Sequence, residues 1–440
     1  MHASRLYSNK VRVQCFASSR SLRCGSSFTG GTSIQLSPHK YTQRRSFRTT
    51  RLQSLNHRSD DSRSTARPAR EPFRILFCGR DLFSCAVFRE LHKAKDVWNN
   101  IYIATNPDLK VGRNRSRLDI SPLKLLGEQL RVPVDTIPKE KAAFKHWLPP
   151  PPFSSITSPT SLPSSDHPKR DSISTQNSSH LLITASFGRI LPTSILRLFP
   201  EMQRLNVHPS LLPAYRGPAP IQRALMAEER ETGVCVIEMG EVSRKEGKVV
   251  DEGGLWAVEK MNIPHNATFL DMQDRLAESG GNLLVQVLRD MLSGSAYRKP
   301  QDPLTANTPH ASAITALDST IVFASQSAYT VARLERAIGH QRALTVPAGL
   351  PDGRAVALAG LHVASPEMHP PKYIQQMSEV RPGATVYSPR TKNLLVACAG
   401  GEWLSVERLQ TQDRAMVQAR EWWNGIKGMG WVNDGRFQFG

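Results

Sequence analysis

The first 59 residues contain no Asp or Glu, although the whole chain has 38 acidic residues. Residues 1–70 hold twelve Arg and two Lys against two Asp, and so carry most of the net charge of +19. They are rich in serine and lack the long apolar segment of a secretory signal, a composition typical of a mitochondrial presequence. A disordered basic tail that binds nucleic acid is the alternative. We expect residues 1–70 to be a disordered presequence that directs the protein to the mitochondrial matrix.

Other absences narrow the class of protein. No apolar run approaches the ~20 residues that a membrane span requires, so we expect no membrane partner. The six cysteines are scattered and form no Cys-x-x-Cys pair. This distribution argues against a metal site and a disulfide framework, and it fits a reducing compartment.

After residue 70, strand and helix patterns alternate. The predicted order is strand (Phe73–Cys78), helix (Cys85–Lys93), strand (Ile101–Ala104) and helix (Leu123–Leu130). This alternation predicts an α/β fold with a doubly wound, mostly parallel, Rossmann-like sheet.

The turn that follows the first strand has a single glycine. Gly79 stands alone, without the second and third glycines of a dinucleotide-binding turn. A ligand site is expected instead at the carboxyl ends of the strands, where Gly79, Phe187 and Asn206 would converge.

The C-terminal part has a different pattern, with several short strands and a turn signal at Asp352-Gly353. It predicts a small β-barrel. The predicted strands are Leu344–Val346, Ala355–His362, Thr385–Tyr387, Leu394–Cys398 and Leu404–Leu409, and the predicted flanking helices are Tyr329–Ile338 and Arg414–Trp423.

These patterns divide the chain into four parts. A presequence (1–70) precedes an α/β domain (71–295), a polar connector (296–339) and a strand-rich domain (340–440). The α/β domain contains an insert at 149–179 that is rich in Pro, Ser and Thr, which we expect to be disordered because it can bury little apolar surface.

The most informative segment of the chain is Asn206 to Ile221, which reads Asn-Val-His-Pro-Ser-Leu-Leu-Pro-Ala-Tyr-Arg-Gly-Pro-Ala-Pro-Ile. If a strand ends at His208, the side chains of Asn206 and His208 point to the same face. An amide can stabilise an oxyanion and an imidazole can transfer a proton, which suits acyl or formyl transfer. A satisfied polar pair without catalytic function is the alternative for these two residues alone. A helix is predicted at 219–229, with Pro220 in its first turn.

This segment resembles the signature of the folate-dependent formyltransferases, and in particular of the mitochondrial members that act on methionyl-tRNA. The resemblance runs from Phe73 to the C-terminus, apart from the insert. Further matching segments are Phe73–Gly79, Asn106–Lys124, Leu181–Pro192 and Glu231–Val234.

The resemblance implies transfer of the formyl group of 10-formyltetrahydrofolate to the α-amine of methionine on initiator methionyl-tRNA. Asn206 and His208 would be catalytic, and Arg113 in a basic loop would contact the tRNA acceptor stem. The segment that would hold the folate consists of Ser210, Leu211, Leu212 and Pro213. The strand-rich domain would be OB-like and would contact tRNA. We expect a monomer without a metal.

One residue of the family pattern is missing. The family has a third catalytic residue, an Asp in an Asp-x-Gly-Asp segment, some 36 residues after the histidine. When Gly247 is aligned with the glycine of that segment, Lys245 stands at the position of the Asp. A lysine cannot accept the imidazole N–H. The other carboxylates in reach are those of Glu241, Glu246 and Asp251.

Two other functions are compatible with the sequence. The chain could be another folate-dependent formyltransferase or a formyl-folate hydrolase. It could also be a catalytically impaired RNA-binding relative, which Lys245 would explain. The basic loop around Arg113 and the strand-rich C-terminal domain favour the tRNA substrate.

Overall fold

The computed structural model describes residues 70–111, 116–154, 179–241, 250–368 and 380–440. Its first part is built on a seven-stranded sheet, with a two-stranded hairpin outside it. The strands are β1 (Phe73–Cys78), β2 (Trp98–Thr105), β3 (Leu109–Val111), β4 (Arg117–Asp119), β5 (Val134–Thr136), β6 (His180–Ala185), β7 (Arg204–His208), β8 (Glu231–Glu238) and β9 (Leu255–Asn262).

The strand order of the large sheet is β5-β2-β1-β6-β7-β8-β9, and β3 pairs with β4 in the hairpin. The five strands from β5 to β7 are parallel, whereas β8 and β9 are antiparallel to their neighbours. Alternate residues of β1 belong to different apolar clusters: Ile75 and Phe77 lie in one, Leu76 and Cys78 in another. Both faces of the sheet are therefore covered, and the predicted doubly wound, mostly parallel sheet is confirmed.

Six helices of this part of the chain, all within the described ranges, cover or connect the strands. They are α1 (Leu82–Lys93), α2 (Pro122–Gln129), α3 (Lys141–Lys145), α4 (Thr193–Leu196), α5 (Pro220–Met226) and α6 (Phe269–Ser293), and a 3₁₀ turn (Glu201–Gln203) precedes β7. Helix α1 begins three residues earlier than the sequence predicted. Asp81 caps it, because its carboxylate accepts a hydrogen bond from the Ser84 N–H at 3.1 Å.

Helix α6 continues through Gly280 and Gly281, two residues that lower intrinsic helix stability. A Cβ atom on Gly280 would lie 2.8 Å from Val207 Cγ1 in β7, and one on Gly281 would lie 2.8 Å from Glu90 Cβ in α1. The two glycines thus allow α6 to pack closely on both the sheet and its neighbouring helix.

The second part of the chain forms a curled antiparallel sheet. Its strands are β10 (Leu344–Val346), β11 (Val356–Val363), β12 (Ala384–Tyr387), β13 (Leu394–Ala397), β14 (Trp403–Thr411), β15 (Val417–Gln418) and β16 (Phe437–Gln438). The order is β10-β11-β14-β13-β12-β16, and β15 pairs with β14. Helices α7 (Ala328–Ile338) and α8 (Ala419–Gly428) accompany this sheet, together with 3₁₀ turns at Leu317–Ser319, Pro366–Met368 and Ala399–Gly401. The predicted strand-rich second domain is confirmed.

A single apolar cluster contains residues of both sheets, from Phe73 in β1 to Phe437 in β16. Helix α7 contacts α5 of the first part and β11 of the second. The described residues accordingly belong to one compact unit. Within these ranges, no helix combines the length and apolar character that crossing a membrane requires.

Two sequence predictions are wrong in detail. The insert was expected to be disordered from residue 149, but Phe153 is only 2% exposed and packs against Tyr102, His180 and Phe199. The aromatic ring gives this end of the insert the apolar surface that its Pro and Ser neighbours lack. Residues 155–178 lie outside the described ranges. The helix predicted at Arg414–Trp423 begins only at Ala419, because Val417 and Gln418 pair with β14 as β15.

Candidate active site

The carboxyl end of β7 carries Asn206 and His208. Asn206 pairs with Thr184 of β6, and His208 pairs with Cys235 of β8. Because the two residues are separated by one position in an extended strand, their side chains leave the same face. Both line a cavity of about 810 Å³. The structure therefore brings the two predicted catalytic residues together.

The orientation of the Asn206 amide is fixed on two sides. Its Oδ1 accepts a hydrogen bond from the Thr184 hydroxyl at 2.8 Å, and its Nδ2 donates to Asp251 Oδ1 at 3.2 Å. An amide nitrogen has two N–H groups, so one remains to donate into the cavity. A donor held in this way does not need to reorganise when negative charge develops on a bound group.

The imidazole of His208 is buried, with a side-chain exposure of 6%. Its Nε2 lies 3.0 Å from the carbonyl oxygen of Tyr215. Since a carbonyl can only accept, Nε2 must carry the proton. Nδ1 is then the nitrogen that can take up a further proton, and it lies 3.6 Å from Asp251 Oδ2. This is an ion-pair distance for a protonated imidazole, although it is too long for a good hydrogen bond.

Asp251 supplies the carboxylate of the site. Besides Asn206 and His208, it contacts the backbone N–H of Gly217, which donates to Asp251 Oδ2 at 3.1 Å. Asp251 has a φ of +59°, in the left-handed region that aspartate tolerates better than most residues. One carboxylate thus links the amide, the imidazole and the loop that follows β7.

The sequence pattern alone identifies no carboxylate for the site, because Lys245 stands at the expected position. Lys245 and Glu246 lie outside the described residues, and Glu241 forms an exposed ion pair with Arg197 at 2.9 Å. Asp251, the remaining alternative, lies 43 positions after His208 in the numbering. The signal that could have identified it is Asp251-Glu-Gly253, which matches the Asp-x-Gly part of the family segment once a longer loop is allowed before it.

The residues predicted to hold a folate, Ser210, Leu211, Leu212 and Pro213, do not line the cavity. Ser210 is buried and its hydroxyl donates to the Ala214 carbonyl at 2.8 Å. Leu212 packs with Cys235, Ile237 and Leu255. Cys235 and Ile237 pair with His208 and Asn206 in the sheet, so this turn packs on the face of β8 that borders the cavity, without lining the cavity itself.

The Cys235 thiol supports the same turn. It donates to the Ser210 carbonyl at 3.0 Å. Burial raises the pKa of the Cys235 thiol to about 12, so the thiol remains protonated and keeps its role as a donor. The turn shapes the loop that delivers Tyr215 and Gly217 to His208 and Asp251.

Part of the cavity lining is apolar. This part includes Phe187, Ile190, Leu191, Ile237 and Met239. Among these residues, Ile190 is 52% exposed. Phe187 and Asn206 meet here as the sequence predicted, whereas the turn after β1 contributes Arg80 rather than Gly79.

The far side of the cavity is bounded by the second part of the chain. His340, which follows α7, stacks on Phe269 at the start of α6, with ring centroids 3.7 Å apart. Desolvation by burial lowers the pKa of His340, so the ring is neutral at pH 7. Gln222 of α5 donates to Gln341 at 3.4 Å. A ligand in the cavity would therefore contact both parts of the protein.

The predicted tRNA-contacting residue, Arg113, lies outside the described residues. The hairpin β3–β4 flanks it on both sides, with Lys110 paired to Leu118. Lys124 of α2 forms an ion pair with Asp108 at 2.7 Å just before the hairpin. In the described part of the chain, no group of three or more His, Cys, Asp or Glu side chains is arranged to hold a metal ion.

Two family models match this chain. Residues 73–288 match the formyl transferase family model, and residues 313–427 match the model of the formyl transferase C-terminal domain. A methionyl-tRNA formyltransferase of Staphylococcus aureus strain JH1 is 32% identical over 233 residues. These residues are 53% of this chain and 63% of the relative, so the chain spans less than two thirds of the relative's length.

Two solved structures align with this chain at low sequence identity. HypX from Aquifex aeolicus in complex with tetrahydrofolic acid is 14% identical, with a TM-score of 0.47, covering 80% of this chain and 47% of that chain. An N-formyltransferase from Helicobacter canadensis is 12% identical, with a TM-score of 0.45, covering 77% of this chain and 99% of that chain.

Proposed function

Because this chain belongs to the formyl transferase family, we propose that it transfers the formyl group of 10-formyltetrahydrofolate to the α-amine of methionyl-tRNA. The observation that carries the proposal is the convergence of Asn206, His208 and Asp251 at one end of the cavity. The name and sequence identity of the Staphylococcus aureus relative support methionyl-tRNA as the acceptor.

The cavity suits a folate as formyl donor. Its volume of about 810 Å³ lies within the range of ~300–1,000 Å³ that small-molecule sites occupy. The apolar wall around Phe187 and Ile190 can cover a flat ring system, while the polar end is formed by the three catalytic candidates. When bound there, the folate supplies a formyl carbon activated by its attachment to a nitrogen.

Asn206 would act on the oxygen of the formyl group. The methionine amine attacks the formyl carbon, a new C–N bond forms, and the oxygen gains negative charge before the original C–N bond breaks. The free N–H of the Asn206 amide would donate to this oxygen. Donors of this kind contribute ~3–4 kcal/mol to transition-state stabilisation in comparable sites.

His208 would carry the proton that moves during the transfer. The attacking amine loses a proton and the leaving nitrogen of the folate gains one. Nδ1 of His208 can accept and then return it, because Nε2 is already occupied by the Tyr215 carbonyl. The Asp251 carboxylate would stabilise the imidazolium that forms in between. General acid–base catalysis of this type is worth ~10²–10⁴ in rate.

We further propose that the activity serves translation initiation in mitochondria. The support is the acid-free, Arg- and Ser-rich composition of residues 1–70. Arg113 in the hairpin loop and the strand-rich second part would contact the tRNA, with the methionyl end entering the cavity between β7 and His340.

The experiment is a formylation assay with the purified full chain, 10-formyltetrahydrofolate and methionyl-tRNA, followed by mass spectrometry of the released aminoacyl group. Formylmethionine is expected, and uncharged tRNA or free methionine should give none. Formate release without an acceptor would indicate a hydrolase, and formylation of an amino sugar instead of methionyl-tRNA would indicate another branch of the family.

A further inference from the structure

A residue of the connector reaches the backbone beside the active-site carboxylate. Lys299 pairs with Leu255 at the start of β9 through two backbone hydrogen bonds, of 2.7 and 3.0 Å. In an antiparallel pair, a step of two residues along one strand corresponds to two residues back along the other. Gln301 therefore stands opposite Gly253, next to Asp251.

The carboxamide of Gln301 uses both of its functional atoms. Its Nε2 donates to the carbonyl oxygen of Asp251 at 2.6 Å and to that of Gly253 at 2.8 Å. Its Oε1 accepts from Arg216 Nη2 at 2.6 Å and from Nε at 3.1 Å. Both N–H groups and the oxygen are therefore engaged.

Arg216 extends this network to the residue between the two carbonyls. Its Nη1 forms an ion pair with Glu252 Oε1 at 3.1 Å, and the arginine side chain is only 9% exposed. The next residue, Gly217, donates its N–H to the Asp251 carboxylate. Residues 251–253 are thus held by Gln301 from the connector and by Arg216–Gly217 from the loop after β7.

This support is needed because Asp251 has an unusual backbone conformation. A positive φ in a residue other than glycine costs conformational energy and persists when the surroundings fix it. The bond from Gln301 fixes the peptide group that follows Asp251. The side chain of Asp251 can then reach Asn206, His208 and Gly217 together.

We propose that Gln301 is a positioning residue for the active site: it holds Asp251 in the conformation that places its carboxylate between Asn206 and His208. Gln301 does not line the cavity, so it acts through Asp251. The proposal rests on the proposed formyl transfer for its kinetic readout, and it has a structural readout that does not depend on activity.

Two substitutions separate the loss of the Gln301 N–H donors from the loss of its acceptor oxygen. Gln301→Glu keeps an acceptor for Arg216 but replaces both N–H donors with an oxygen that faces two carbonyls. Gln301→Met removes the donors and the acceptor without adding charge. Gln286→Glu is the matched control, because Gln286 lies exposed on α6, away from the cavity, and its Nε2 bonds only to the neighbouring Asp290 side chain among the described residues.

The first measurement is steady-state formylation. Both Gln301 variants should lower kcat by ~10–10², because small displacements of a catalytic group have effects of this size, while KM for either substrate should stay within about threefold of wild type. The control should keep the wild-type kcat. In the background of Asp251→Asn, Gln301→Met should cause no further decrease of the residual rate.

The second measurement is hydrogen exchange of the full chain, read by mass spectrometry on peptides that contain Gly217. Its amide should exchange faster in both Gln301 variants and at the wild-type rate in Gln286→Glu. Unchanged exchange at Gly217 would overturn the proposal whatever the activity. So would a decrease of kcat in Gln301→Glu alone, or independent effects of Gln301→Met and Asp251→Asn. A different outcome is that the wild-type protein fails to formylate methionyl-tRNA while the Gln301 variants still exchange faster than wild type at Gly217. That outcome would overturn the proposed function and support the positioning role.

Discussion

The protein holds the side chains of Asn206 and His208 in place, and each side chain keeps one polar group for a ligand. The Thr184 hydroxyl holds the oxygen of the Asn206 amide, and the Tyr215 carbonyl holds Nε2 of His208. These contacts leave an N–H of the amide and Nδ1 of the imidazole for chemistry. The side chains are therefore oriented before any substrate binds, which favours transition-state stabilisation over substrate binding.

This arrangement predicts that Asn206→Ala and His208→Ala each lower kcat by at least ~10². KM should change much less, because the lost interactions form mainly in the transition state. His265 and Asn266 provide the matched control, since they form an exposed pair in the same part of the chain. Alanine at either should leave kcat within about twofold of wild type. Near wild-type turnover in Asn206→Ala or His208→Ala would remove that residue from catalysis.

The sequence could identify Asn206 and His208 because they lie in one uninterrupted segment, where strand periodicity fixes their common face. Asp251 could not be found by spacing. It follows a loop of a length that the family pattern does not predict, and its contact with His208 depends on the left-handed backbone at that residue. The position of Ser210–Pro213 was equally hard to predict, because residue spacing does not show whether a turn lines a cavity or packs beside it.

At the level of elements, the glycines of α6 determine how strand β7 is supported. Gly280 packs against Val207, the residue between Asn206 and His208, and against Val234 of β8. Helix propensity alone would count the glycine pair as destabilising. Its packing role appears only when the sheet is in place, since helix propensity does not include the neighbouring surface.

Gly280→Ala should therefore destabilise the protein by ~1–3 kcal/mol, the usual cost of overpacking a core. A Cβ there would meet Val207 Cγ1 at 2.8 Å and Val234 Cγ2 at 2.9 Å, and branched side chains have little freedom to move away. A lower kcat is also expected, because β7 carries the catalytic pair. Thermal unfolding and formylation rates measure the two effects.

Gly425→Ala in α8 is the control for helix propensity, because nothing lies within 4 Å of its added Cβ. It should stabilise the protein by up to ~1 kcal/mol. If Gly280→Ala behaves like Gly425→Ala, the close approach of α6 to β7 does not matter for stability.

The hairpin β3–β4 is the element on which the tRNA proposal places Arg113. Arg113→Ala should lower kcat by ~10², since a loop that positions the methionyl end near His208 affects the geometry of attack. The slope of log K for tRNA binding against log salt concentration should also become shallower, by about the contribution of one phosphate contact. Arg275→Ala on the exposed face of α6 is the control and should change neither quantity. If Arg113→Ala changes kcat and the salt dependence of tRNA binding by less than about twofold, the loop is a solvent-exposed charged segment without a role in tRNA binding.

Most strands and helices could be predicted from sequence because apolar residues recur with the period of each element. The predictions fail where tertiary contacts, and not the local sequence, determine the structure of a segment. Val417 and Gln418 extend the second sheet as β15 instead of starting a helix, and Phe153 anchors a segment whose composition predicts disorder. Neither contact has a local signal in the sequence.

At the scale of the whole molecule, the N-terminal composition predicts processing on import. Residues 1 to roughly 50–70 should be absent from the protein isolated from mitochondria. N-terminal sequencing of the mature protein measures this. A chain that still begins at Met1 or His2 would instead favour the basic nucleic-acid tail.

The two parts of the protein also depend on each other for folding. Apolar residues of both sheets share one cluster, and α7 connects them. The Glu335 carboxylate of α7 accepts N–H groups of Gly360 and Leu361 in β11 at 2.7 and 2.5 Å. Burial raises the pKa of Glu335, and these two donors stabilise its charged form. Removing the second sheet would therefore expose apolar surface and the buried carboxylate of Glu335.

A chain that ends at Gly339 should consequently fail to fold, instead of behaving as an independent catalytic domain with weak tRNA affinity. The apolar side chains of α7 that face β11 would be exposed to water. This exposure costs ~25 cal/mol of free energy for each Å² of apolar surface. We expect aggregation, or unfolding without a cooperative transition, whereas the full chain should unfold in one transition. Calorimetry of both proteins, with Gly425→Ala as a full-length reference, measures the difference. Cooperative unfolding of the shortened chain, together with formylation at a raised KM for tRNA, would show that the second sheet serves binding alone.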